Sequence, residues 1–500
     1  MNQKYYLGID IGTYESKGVL VNIDGNIISQ SSKKHEMIVP RSGWAEHRPY
    51  EDWWEDFTFI SNDLIKKSKC DPREIKAVCS STIGSCMLPV DKNGEPLMNA
   101  VLYGVDTRAY KEIEFLNKHI GKNKIFNFNG NALSSQQIGP KILWLKNNRP
   151  DIFDKTHKII NGAGFISYKL TDTYTIDHFS ASFISPLYDI KKQSWSDELI
   201  KDLIDLDKLP EIVWTNSIVG GVTKKAAEET GLVEGTPVCT GTIDAAAEAL
   251  SVGVLSPGEM MMMYGSTMFF ISITDKILSD PRVWYAPWLF KGEHSSLGGL
   301  STSGTLTHWF KNEFAKELKG EETFSILAKE AEASPPGSNG IIFLPYFSGE
   351  RTPIHDTYAK GSFFGLNLTH KRSDMYRSIF EGIAYGTKHV FDTFEEMKNL
   401  PKSLYSVGGG TKNTIWSKTT SDIIGLNQIL RKKTFGASYG DAFLAAYSIG
   451  DLNKEDINKW NPVDYEIIFS EENNQIYQKG YHNFRRLYES TKDLMKDMGN

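Results

Sequence analysis

Four short stretches of this chain carry residue types that do chemistry. In "YYLGIDIGTYESKGVLV" an apolar run ends in Asp10, and Gly12 and Thr13 follow in a turn before a second apolar run. The same order returns in "MMMMYGSTMFFISI", with Gly265, Ser266 and Thr267 between two apolar runs. In "TGTIDAAAEAL" Asp244 opens an alanine-rich helical segment, where the helix N-terminus favours its charge and where a carboxylate suits proton abstraction. In "SVGGGTKNTIW" three glycines, Gly408, Gly409 and Gly410, permit close approach of a flat or phosphorylated ligand. No G-x-x-x-x-G-K-[ST] occurs, so a Walker-type loop is excluded, and any phosphate grip must come from the two hydroxyl turns and the glycine loop. Each stretch also has a plainer reading: a surface hairpin with a polar tip, a helix-start carboxylate, a glycine turn.

The elements that must hold these residues alternate between strand and helix. Residues 5–9 and 17–23 are rich in β-formers, and Asp24, Gly25 and Asn26 form a hairpin turn into a third strand. The spacing predicts helices in "EDWWEDFTFISNDLIKKSK", "KILWLKNN", "SDMYRSIFEGIAYGTKHVFDTFEEMKN" and "YGDAFLAAYSIG", with strands at "IKAVCSST", "GIIFLPYF" and "SLYSV". Interleaving of this kind predicts α/β lobes. The two corners lie about half the chain apart, so 500 residues divide into two similar domains. Expected boundaries are 1–250, 251–455 and a helical extension of the second lobe over 456–500.

A net charge of −6 offers no footprint for nucleic acid or an anionic membrane surface, and no apolar run is long enough to span a bilayer. Cys70, Cys79, Cys86 and Cys239 lack metal-ligand spacing and suit core filling, and with no leader visible before the first strand a cytoplasmic setting is expected. Trp44, Trp53 and Trp54 are expected to pack the core, and Glu350 with Arg351 to fix a loop.

Taken together, "GIDIGT", "GWAEHRPYEDWW", "GTIDAAAEALSVGVLSPGE", "MMYGST", "FLPYFSGERTP", "KGSFFGLNLTHKRSDMYRSIFEGIAYG" and "SVGGGTKNTIW" resemble the FGGY family of carbohydrate kinases, most of all its xylulokinase-like members. The resemblance runs from residue 8 to about residue 450. It implies two ribonuclease-H-like, actin/hexokinase-type lobes around a central cleft, with ATP and Mg²⁺ as cofactors and a small sugar or polyol as substrate, and it leaves a homodimer open. It implies Asp244 as the catalytic base and a substrate contact, and Asp10 as the Mg²⁺ carboxylate. Thr13, Gly265, Ser266 and Thr267 match the phosphate turns, and Gly409, Gly410 and Asn413 the adenosine segment.

The chain departs from that pattern around the sugar. "SSTIGSCMLPVD" lacks the family's Gln-Met-His, leaving Ser85 as the candidate contact. "LYGVDTRA" keeps Asp106 and Arg108 but has Tyr103 and Gly104 where a tryptophan neighbourhood is usual. Asp106 is expected to accept a sugar hydroxyl, unless it pairs with Arg108. The implied reaction is ATP-dependent phosphorylation of a ketopentose such as D-xylulose. Another small ketose, a polyol or a sugar acid is the alternative, and an actin-like or Hsp70-like ATPase the rival class.

Overall fold

In the computed structural model, which describes residues 3–201, 203–320 and 322–499, the N-terminal apolar run forms the strand Tyr5–Ile11. The strand runs past its expected end, so Asp10 lies inside it. It pairs antiparallel with Glu15–Asn22, which pairs in turn with Ile27–Lys34. On its other side it pairs parallel with Ile75–Thr82, which sets Asp10 opposite Ser81. The strands Pro237–Cys239 and Ile218–Gly221 complete the order, and the short Thr242–Ile243 also pairs with Ile75–Thr82.

This sheet is the centre of one of two compact units, which takes the chain up to Leu255 together with Asp275–Ser295 and Phe435–Pro462. The other takes Ser256–Thr274, Ser296–Thr434 and the chain from Val463. The sequential boundaries expected at residues 250 and 455 do not describe these units. The helix Ala437–Ser448 belongs with the first, because its small residues lie directly on Tyr5–Ile11 and on the helix Asp244–Ser251. A Cβ added at Gly8 would stand 2.0 Å from the Ser438 carbonyl oxygen and 2.4 Å from the Ala442 nitrogen. Only glycine admits so close an approach of helix to strand.

The second unit repeats the pattern of the first. Glu259–Tyr264 pairs antiparallel with Met268–Thr274 and parallel with Ser403–Val407, as Tyr5–Ile11 does with its two neighbours. Gln428–Arg431 and the antiparallel Val463–Ile467 continue the sheet. The predicted long helix is Arg372–Glu396, with Asp374 accepting the Lys371 N–H at its start. The helix Glu471–Asp497 buries Tyr477, Phe484, Tyr488 and Met495 against Leu344 and Tyr385. Trp53 and Trp54 are buried in the first unit's core. Glu350 ties its loop by accepting the N–H groups of Ser301 and Arg351. Among the described residues no helix is long and apolar enough to cross a membrane, and the four cysteines are free thiols.

Candidate active site

The first unit gathers acidic side chains at the end of its sheet. The Ser81 hydroxyl lies 3.2 Å from Asp10 Oδ1 and 2.7 Å from Asp441 Oδ2, and the Ser81 N–H donates to the same Asp441 oxygen at 3.0 Å. Thr242 and Ile243 pair with Ser81 and Thr82, and Asp244 follows them at the first turn of its helix, where its Oδ1 accepts the Ala245 N–H at 2.7 Å. Glu248 stands one turn further along the same helix.

Burial pushes Asp244 up to about 6. Burial and then the charges of Asp244 and Glu248 hold Asp10 well above the usual carboxylate range, against the pull of Ser81 and Lys17. Burial, then Asp244, lifts Glu248 to about 7, again opposed by Lys17. A like charge held close in a low-dielectric corner raises a carboxyl group in this way. Four carboxyl groups, Asp10, Asp244, Glu248 and Asp441, and one lysine make the corner acidic, which suits a divalent cation. No group of three or more His, Cys, Asp or Glu among the described residues is arranged to hold a metal alone.

Thr13 lies in the turn beyond this corner, its hydroxyl 3.5 Å from the Tyr103 hydroxyl. Tyr103 packs over Gly84, where a Cβ would come within 2.8 Å of it, and it feels the charge of Asp244. A Cβ at Gly104 would collide with the Gln136 amide. The missing tryptophan thus marks a place rebuilt from Tyr103 and Gly104, which the sequence singled out, and from Gln136, which residue type alone did not assign to the site.

The two expected sugar contacts, Asp106 and Ser85, both lie in buried hydrogen-bond networks. Asp106 is wholly buried, and its oxygens accept the Ala45 N–H at 2.7 Å and the Arg108 guanidinium at 2.8–3.0 Å. Arg108 also binds Glu46 at 2.8 Å and lies 3.7 Å over the Trp44 ring. Asp106 is therefore the anchor of an ion-pair network. Ser85 is buried too, and its hydroxyl donates to the Ser180 carbonyl at 3.1 Å.

The second unit holds a cavity of about 700 Å³ lined by Gly265, Ser266, Gly409, Gly410 and Asn413 together with Tyr264, Trp416 and Lys329. Such a volume suits a drug-sized or nucleoside-sized ligand. The Gly265 carbonyl accepts the Gly304 N–H and the Ser303 hydroxyl at 3.0 Å, and the Ser266 carbonyl accepts the Thr305 hydroxyl at 3.0 Å. Asn413 caps the helix Thr414–Ile424 by accepting the Trp416 N–H at 3.1 Å. Gly410 is needed for packing, since a Cβ there would lie 2.5 Å from the Trp416 ring, whereas one at Gly409 meets nothing within 4 Å. Thr267 is not among the residues lining this cavity. Its carbonyl closes the turn by accepting the Gly265 N–H at 3.0 Å.

The model of the FGGY family of carbohydrate kinases matches the chain with its N-terminal domain over residues 5–251 and its C-terminal domain over residues 260–449. A xylulose kinase of Bacillus subtilis is 28% identical over 496 residues, covering 98% of each chain. A gluconokinase of the same organism is 26% identical over 462 residues, covering 90% of this chain and 89% of its own. The crystal structure of a xylulose kinase from Rhodospirillum rubrum superposes with a TM-score of 0.92 over 99% of this chain and 100% of that one, at 24% identity.

Proposed function

Because the chain belongs to the FGGY family of carbohydrate kinases and is a phosphotransferase of the actin/hexokinase-type fold, we propose that it transfers the γ-phosphate of ATP to a hydroxyl of an uncharged ketose, D-xylulose first, with Asp244 as general base. The observation that carries this reading is Asp244 itself: a carboxylate at a helix start, pushed up to about 6 by burial, beside Asp10. As the new O–P bond forms and the bond to ADP breaks, the acceptor hydroxyl's proton passes to an Asp244 oxygen and then to solvent. A base with a pKa near the working pH does this well. Thr13 offers its hydroxyl and turn N–H groups to phosphate oxygens, and the Gly265, Ser266 turn with Gly409 and Gly410 holds the nucleotide in the second unit. Asp10 is the residue to hold Mg²⁺, which when bound neutralises phosphate charge.

The gluconokinase relative raises the sugar acids as acceptors. Asp10, Asp244 and Glu248 make the corner acidic, and a further carboxylate brought there is repelled, so a neutral ketose fits better. The test is a panel of ketopentoses, polyols and aldonic acids compared by kcat/KM. Pockets built on hydrogen bonds reject an analogue that leaves them unpaired by about 10⁴–10⁵-fold, so the preference is expected to be large. A clear win for an aldonic acid overturns the neutral-acceptor reading, and ATP turnover indifferent to any sugar overturns the kinase assignment.

The nucleotide cavity has its own check. Gly409→Ala adds a methyl that touches no protein atom, so Tm is expected to hold. The KM for ATP should rise about tenfold, within the roughly 1–3 kcal/mol that an extra methyl costs a filled site. The KM for sugar should not follow. An unchanged KM for ATP removes this cavity from the nucleotide role.

A further inference from the structure

Two histidines that take no proton from substrate hold the turn that carries Thr13. The Gly12 carbonyl accepts His35 Nε2–H at 3.0 Å, and the Thr13 carbonyl accepts His47 Nε2–H at 3.1 Å. The next carbonyl, of Tyr14, accepts the His35 backbone N–H at 3.0 Å. In a trans peptide the C=O and the following N–H point in opposite directions. Pinning the Gly12 and Thr13 carbonyls toward the imidazoles therefore turns the N–H groups of Thr13 and Tyr14 the other way. Neither N–H has a protein acceptor among the described residues.

The hydrogen bonds also assign the protons. Trp53 Nε1–H can only donate, and it points at His47 Nδ1 from 3.0 Å, so that nitrogen is bare and Nε2 carries the hydrogen. His47 is thus neutral, in line with burial pushing it down to about 4. His35 differs: Nδ1 faces Asp56 Oδ2 at 2.7 Å, and Nε2 faces the Gly12 carbonyl. Both partners are acceptors, so both ring nitrogens must donate, and His35 is an imidazolium. Its surroundings sustain the charge. Asp56, on the helix Glu55–Ser68, is wholly buried, accepts the Ser16 hydroxyl at 2.7 Å and pairs with Lys33 at 2.9 Å. Asp52 lies in the preceding helical turn, and the His47 ring stands edge-on at 5.0 Å. Burial works against the charge, but Asp56 and then Asp52 outweigh it and raise the His35 pKa.

We propose that His35, as an imidazolium, and His47, as a neutral imidazole, are positioning residues that aim the Thr13 turn's N–H groups at the transferred phosphoryl group. This rests on the reading of that turn as a phosphate turn. A turn let loose by one lost tie misplaces its N–H groups, and misplacement by about 1 Å costs on the order of 10²-fold in rate.

Three measurements on the full chain test it. Nitrogen NMR of ¹⁵N-histidine-labelled protein near neutral pH should show two protonated ring nitrogens for His35 and one, Nε2, for His47. A neutral His35 overturns the assignment whatever the kinetics. His35→Ala should lower kcat by about 10–100-fold with the KM for sugar within about twofold, and His35→Gln, whose amide still offers a donor, should recover much of it. The wild-type kcat should fall at high pH as His35 loses its proton, and that limb should vanish in His35→Gln. Equal loss of kcat and of Tm in both variants means a merely structural histidine and sinks the proposal. Thr13→Val separates the two layers. If it turns over like the wild type, the Thr13 hydroxyl has no part in the phosphate turn, and that half of the reading fails; if it falls while His35→Ala does not, only the positioning role fails.

Discussion

Asp244→Asn is expected to lower kcat by about 10²–10⁴-fold while the KM values for ATP and sugar stay near those of the wild type, the range for loss of a general base. The amide keeps the shape and can still meet the Ala245 N–H that Asp244 accepts at 2.7 Å, so the fold has no cause to change. The variant also isolates the pH dependence. Asp244 is pushed up to about 6, and as the proposed base it would act only when deprotonated, so wild-type kcat/KM should rise with pH through about 6 and level off above it. The residual activity of Asp244→Asn should lack that rise. Near-normal turnover in the variant removes Asp244 from the base role, and a rise that persists assigns it to another group.

Asp10→Asn carries the next largest effect, a loss of about 10²-fold or more in kcat, because the carboxylate proposed to bind Mg²⁺ is gone and phosphoryl transfer rests on neutralised phosphate charge. Stability is expected to move the other way. Asp10 is held well above its usual range by burial and by Asp244 and Glu248. A carboxylate with a raised folded-state pKa contributes stability below its unfolded pKa, and that contribution is lost as pH climbs through the folded value. An ionised Asp10 is therefore a strain on the first unit, and Asp10→Asn, which cannot ionise, should match or exceed the wild-type Tm. A variant that is inactive because it melts early marks Asp10 as structural.

Much of the architecture was legible along the chain because its signals are local. An apolar run, a glycine and a hydroxyl residue suffice to write a strand–turn–strand corner, and the same order at Gly265 predicted the matching corner of the second unit. Apolar spacing predicted the helix Arg372–Glu396, and alanines behind Asp244 predicted a helix that packs closely. The ends were less legible: the first strand runs on through Ile11, because pairing with Ile75–Thr82 continues to Thr82 and holds it extended.

The sequence by itself determined the kinds of chemistry on offer: two hydroxyl turns, a carboxylate at a helix start, a glycine loop and the pattern of a two-domain kinase. Tertiary structure decided which of those groups are free to act. Asp106 was expected at the sugar from its match to the family pattern, with an ion pair to Arg108 as the other reading. What occupies it is the Ala45 N–H, 61 positions distant in sequence, together with Glu46 on the same arginine. Ser85 is likewise claimed by Ser180, 95 positions on, and Ser81 is bound by Asp441 from 360 positions away, in a segment that folds with the first unit although it follows most of the second. The His35 and His47 ties to Gly12 and Thr13 come from loops and strands that only the packed sheet brings together. The reason is physical: backbone conformation is set largely by neighbours a few residues away, whereas a buried polar group must be satisfied by whatever the folded chain places beside it.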